Sequence, residues 1–136
     1  MTGLRLTASE GKKDTMAQRM ISDLVFGMDD FIEMPFSAQA LYAQLVLQAD
    51  NAGFLTSINK TVRAIGATQD DVNELERRGF ILRFPGTPTC CIRHWHLMNK
   101  MRNGAKSQVP EYRLVRKNGG VYEPIGESEE DDEDLF

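Results

Sequence analysis

Residues 68–88 read T-Q-D-D-V-N-E-L-E-R-R-G-F-I-L-R-F-P-G-T-P. Thr68 followed three residues later by Asp71 is a looser form of the capping box, in which a side chain and a backbone amide satisfy each other at a helix start. Val72 and Leu75 then recur at helical spacing, and Gly79 stops the helix. The pattern switches at once to two apolar runs, residues 80–84 and 89–97, separated by Pro85-Gly86-Thr87-Pro88. Such a pair reads as two strands joined by a hairpin loop.

Upstream, Ser37 stands at an N-cap position before Ala38, Leu41, Tyr42, Leu45 and Ala49, which predicts a helix over residues 38–49. Asp50-Asn51-Ala52-Gly53 is turn chemistry, and residues 54–56 are extended. Ser57 caps a second helix through Ile58, Val62 and Ile65, closed by Gly66. Residues 19–34 carry much apolar surface, and Pro35 ends whatever precedes it. Three short helices followed by a two-stranded hairpin is the order of a winged helix, so the expected class is α+β. A second hairpin is expected around Asn118-Gly119, since Asn-Gly suits the tight type I′ turn. Residues 1–16 read as a flexible leader, 17–124 as the winged-helix domain and 125–136 as a disordered acidic tail.

The charge pattern is uneven. Residues 127–136 read E-S-E-E-D-D-E-D-L-F, seven acids in ten positions, too dense a run of like charge to pack. The whole chain has a formal net charge of -4, yet residues 1–126 carry 16 Lys and Arg against 13 Asp and Glu. The acidic tail therefore masks a mildly basic body. Arg77, Arg78, Arg83, Arg93, Lys100, Arg102, Lys106, Arg113, Arg116 and Lys117 fall within 41 residues whose sole acid is Glu111. With Trp95, Tyr112 and Tyr122 close by, this is the composition of a phosphate-contacting surface. Together with Gln69 and Asn73, which are suited to base edges, these cations are the expected DNA contacts. The predicted third helix also holds Asp70, Asp71, Glu74 and Glu76, acids that repel phosphates.

Other functions find little support. No apolar run approaches the ~20 residues of a membrane span, and no signal peptide is evident. Cys90 and Cys91 are adjacent and frame no disulfide scaffold, so a reducing cytoplasm is the expected compartment. On a strand, Cys90, His94 and His96 share a face, but residues four apart lie ~13 Å apart and zinc-ligand spacing is missing, so no metal and no cofactor are expected. Trp95, on the opposite face, is expected to anchor a core or an interface. No nucleophile–base pair, glycine-rich phosphate loop or Walker motif is present, and a non-enzymatic role is expected.

Several short stretches resemble the N-terminal domain of phage replisome organizers, relatives in architecture of DnaD-type primosome proteins. They are Arg19-Met20-Ile21-Ser22, the run from Phe31 to Tyr42, the run from Ala49 to Phe54, Ile65-Gly66-Ala67 and Ile92-Arg93-His94-Trp95, with a weaker stretch from Asn118 to Tyr122. The resemblance covers residues 19–122 and implies a winged helix that binds phage origin DNA and helps assemble the replication machinery. Such proteins continue into a further C-terminal domain, where this chain has its acidic run. Asp134, Leu135 and Phe136 are similar to the acidic, phenylalanine-ended tips of single-stranded-DNA-binding proteins, which implies docking to a replication protein. Electrostatic competition with nucleic acid is the other expectation for the tail. Two alternatives stay open. One is an adaptor or inhibitor that binds a host replication protein without DNA, and the other is a winged-helix transcriptional regulator.

Overall fold

The computed structural model describes residues 19–99 and 107–125. The leader, the 100–106 segment and the tail with Asp134, Leu135 and Phe136 lie outside the described residues. The described chain is mixed α+β, with helices α1 (Asp23–Phe26), α2 (Asp29–Ile32), α3 (Phe36–Gln48), α4 (Ile58–Ile65), α5 (Gln69–Arg77) and α6 (Trp95–Met98). Strands β1 (Phe54–Leu55), β2 (Ile81–Arg83) and β3 (Cys90–Ile92) form one antiparallel sheet in the order β1-β3-β2. A 3₁₀ helix (Pro110–Leu114) leads into a second antiparallel pair, β4 (Val115–Asn118) and β5 (Val121–Pro124). Among the described residues, no helix is long and apolar enough to cross a membrane.

The central helix α3 buries Ala38, Leu41, Tyr42, Leu45 and Val46 against α4 and α5. These positions recur every three or four residues and so share one face. Its start differs from the sequence expectation. The helix begins at Phe36 directly after Pro35, and Ser37 does not cap it. The Ser37 hydroxyl instead donates to Asp71 Oδ1 at 2.6 Å, linking α3 to the start of α5. Ser57 occupies the N-cap of α4 without a side-chain hydrogen bond, and Gly66 closes that helix in the left-handed region at φ 76°. The capping box of α5 forms as expected. Thr68 Oγ1 accepts from the Asp71 amide, and Asp71 Oδ2 accepts from the Thr68 amide at 3.0 Å. The tie from Ser37 to Asp71 makes this cap tertiary as well as local.

The strand expected over residues 89–97 ends at Ile92. Arg93 makes a last bond in the same register, its amide donating to Phe80 O, while its carbonyl turns away to accept from the Tyr122 amide. The chain then turns into α6, which removes the shared strand face of Cys90, His94 and His96 and the opposite face assigned to Trp95. Trp95 is a core residue, 1% exposed, with its indole N–H donating to Asn51 O at 3.1 Å. Its ring packs over Gly53, where a Cβ would come within 2.6 Å of the ring. The second hairpin forms, but Asn118 pairs with Val121, so the two turn residues are Gly119 and Gly120 rather than Asn118-Gly119. Both have positive φ, as a type I′ turn requires.

Two aromatic groups organise the core. Phe31, Tyr42 and Phe80 meet with centroids 5.4–5.7 Å apart beneath α2 and α3. Phe54 touches Phe84, Tyr112 and Tyr122, joining the three-stranded sheet to the second hairpin. The Tyr122 hydroxyl donates to Ala52 O at 2.7 Å, which fastens β5 to the turn before β1.

Candidate nucleic-acid interface

Helix α5 buries Val72 and Leu75 and leaves Gln69, Asp70, Asn73, Glu76 and Arg77 exposed. Gln69, Asn73 and Arg77 recur every four residues along one edge. The Gln69 amide donates to Asn59 Oδ1 at 3.1 Å, while Asn73 is open to solvent. Asp70 and Glu76 put two negative charges beside this row.

The two arginines closing α5 differ sharply. Arg77 is largely exposed and forks onto Glu74, with Nη2 at 2.8 Å from Oε2 and 2.9 Å from Oε1. Arg78 is one-fifth exposed; its Nε donates to Glu74, and Nη1 approaches Asp30 at 3.4 Å and Glu33 at 3.5 Å. Nη1 also donates to the Asp30 carbonyl at 3.2 Å. Hydrogen bonds from Arg78 and then Arg77 hold the Glu74 carboxyl below its ordinary pKa, and Glu74 in turn raises that of Arg78. Arg78 thus fastens α5 to α2, with three carboxylates around it.

Arg83 ends β2, half-buried, and lines a shallow depression of about 230 Å³ with Glu76, Phe84, Pro85, Gly86 and Thr87. The hairpin loop therefore lies beside the C-terminal end of α5. Its far side is tied down where Ile58 N donates to Pro88 O at 2.9 Å. Arg93 donates to Gly79 O at 3.4 Å. Arg113 is exposed on the 3₁₀ helix, and Arg116 pairs with Glu123 at 3.8 Å across the second hairpin. Lys117 is exposed, in register with Tyr122. Burial, then the charge of Lys117, lowers the pKa of His96.

Lys100, Arg102 and Lys106 lie outside the described residues, but the ends of their segment are anchored. Asn99 Oδ1 accepts from the Met20 amide at 2.8 Å, and the Ser107 hydroxyl donates to Asp50 Oδ2 at 2.6 Å. Just beyond, Val109 lines a groove of about 510 Å³ with Gln44, Gln48, Lys60, Thr61 and Ile65.

Lys60 and Arg63 of α4 are exposed cations that the sequence reading passed over. The signal was present, because Ile58 and Val62 mark the buried side of that helix and put positions 60 and 63 elsewhere. Neither has a carboxylate partner among the described residues; the same holds for Arg83, Arg93, Arg113 and Lys117. The exposed acids Asp23, Asp29, Asp30 and Glu33 gather on and just after α1 and α2. Both cysteines are buried, and burial pushes the Cys90 thiol up to about 12 and raises Cys91 as well, so neither is a thiolate near neutrality. Among the described residues no group of three metal-ligating side chains converges. No protein-family model, curated protein or solved structure matches this chain.

Proposed function

We propose that the chain is a non-enzymatic winged-helix DNA-binding protein of phage replication. In this reading α3, α4 and α5 are the three-helix core, β2 and β3 form the wing, and α5 is the recognition helix. The observation that carries it is the exposed row of Gln69, Asn73 and Arg77 on α5, a helix whose C-terminal end lies, at Glu76, beside Arg83 and the hairpin loop that follows it. Amides and a guanidinium at helical spacing suit base edges in a major groove. Lys60, Arg63, Arg83, Arg93, Arg113 and Lys117, with Lys100, Arg102 and Lys106, supply the phosphate affinity. The link to replication comes from the family resemblance of residues 19–122, and the tail through Asp134, Leu135 and Phe136 regulates binding or recruits a replication protein.

A second reading is favoured by Asp70 and Glu76 on the open face of α5, which suit a protein partner better than a phosphate backbone. In that case the fold is an adaptor for a host replication protein. The deciding experiment is fluorescence anisotropy of labelled duplex and single-stranded DNA across a salt series, with the full chain and a chain lacking residues 127–136. The DNA reading expects binding that weakens as salt rises and strengthens without the tail. No binding by either protein rejects it and leaves the adaptor.

A further inference from the structure

Helix α3 has thirteen residues and no charged side chain. Opposite its buried face lie Phe36, Ala40, Ala43 and Leu47, all within ~60° of arc at 100° per residue. Phe36 is 87% exposed and Leu47 51%. A helix apolar on both sides belongs between two partners, and within the described chain only one side has a partner. We propose that this stripe is the contact between two copies of the chain, packed as an antiparallel α3 pair about a two-fold axis.

The spacing selects a second copy. Phe36 and Leu47 are equidistant from the point between Leu41 and Tyr42, as are Ala40 and Ala43. An antiparallel two-fold pairing therefore sets Phe36 of one copy over Leu47 of the other, and Ala40 over Ala43. Small residues at the crossing let the axes approach to ~8 Å, and large residues close the two ends. A two-fold contact demands this self-complementarity, since each residue must meet its counterpart's partner in both directions. The helix also brings no like charge to the contact. Gln39, Gln44 and Gln48 flank the stripe and can exchange hydrogen bonds across it.

Two more exposed apolar residues widen the patch. The Gln39 amide donates to Ile32 O at 3.1 Å, which places Ile32, 58% exposed, along one edge. Ile65, 39% exposed, shares the groove of Gln44 and Gln48 along the other. A helix ~20 Å long with these flanks offers a small patch, at the lower end of specific interfaces, and the dimer is expected to be a weak one. This inference does not rest on DNA binding.

The test is sedimentation equilibrium of the full chain from ~5 to ~500 μM, a range that reaches weak association. The average mass is expected to rise from monomer toward dimer. Ala40→Glu should remove the rise, and Phe36→Ser should weaken association at least ~10-fold; both positions are exposed, and an unchanged circular dichroism melt verifies folding. Ala40→Glu combined with Ala43→Lys should restore the dimer, because position 40 faces position 43 across the axis. A wild-type chain monomeric throughout, or a dimer indifferent to both single variants, overturns the proposal. Failure of the double variant to recover association overturns the antiparallel register.

Discussion

Gly53→Ala tests how the turn before β1 is held. Gly53 has φ 91°, its amide donates to Asp50 O at 3.0 Å, and its carbonyl accepts from Ile92 at 2.8 Å. The backbone is therefore clamped on both sides and cannot relax toward a conformation that suits alanine. An added Cβ would meet Trp95 at 2.6, 2.8 and 2.9 Å, against a buried indole that is itself hydrogen-bonded to Asn51. Holding an L residue at positive φ costs about 1–2 kcal/mol, and displacing a packed ring adds about 1–3 kcal/mol. Reduced entropy of the unfolded chain returns about 0.4–1 kcal/mol. The net loss is ~1–4.6 kcal/mol, or roughly 10 °C in melting temperature at the middle of that range for a domain of this size. Gly86→Ala is the control, since Gly86 has φ 81° with nothing within 4 Å of its Cβ position, so it meets the backbone cost alone. Urea unfolding followed by fluorescence of the single tryptophan gives both values. If Gly53→Ala is no more destabilising than Gly86→Ala, the packing of Trp95 on this turn is wrong.

Arg77→Ala is expected to reduce the salt slope of duplex binding by ~0.9, one phosphate contact, with little change in melting temperature. Arg78→Ala is expected to do the reverse, because its loss leaves Glu74, Asp30 and Glu33 without their shared cation. Anisotropy and thermal melts on the two variants check this, and a lowered slope with an unchanged melt for Arg78→Ala would contradict the fastening role. Burial and, secondarily, the charge of Arg93 depress His94 from 6.5 to about 4. The folded chain therefore holds this ring neutral, so its contribution to stability is complete above pH 6.5 and declines as pH falls toward 4. Melts across that window should show the wild type losing stability relative to His94→Gln; parallel curves would falsify the assignment.

What was legible in the sequence was local. The α5 capping box depends on residues three apart, and the stop at Gly66 on one residue's φ, so both could be read without the fold. The misplaced features were decided by distant partners. Ser37 looks like a cap until Asp71, 34 residues on, takes its hydroxyl. The alternating run after Cys90 looks like one long strand, yet Tyr122 draws off the carbonyl of Arg93 and Trp95 goes to Gly53. Arg78 looks like a phosphate contact because Asp30 and Glu33 lie more than forty positions away.

That last point changes how the basic segment works. Its apparent excess of positive charge is partly internal, since Arg77, Arg78 and Arg116 each face a carboxylate, and the described residues hold ten Lys and Arg against eleven Asp and Glu. A nearly neutral described body binds DNA only if charge is arranged rather than abundant. Asp30 on α2 and Glu33 just after it lie against Arg78 at the end of α5, which offsets part of their charge. Acids on α5 itself act differently. In the proposed DNA-binding reading, Asp70 and Glu76 weaken binding to every sequence alike, whereas Gln69 and Asn73 restore it only where base edges match. In that reading the acids lower specific and non-specific affinity together, the amides set the ratio between them, and the cations outside α5 set the absolute strength.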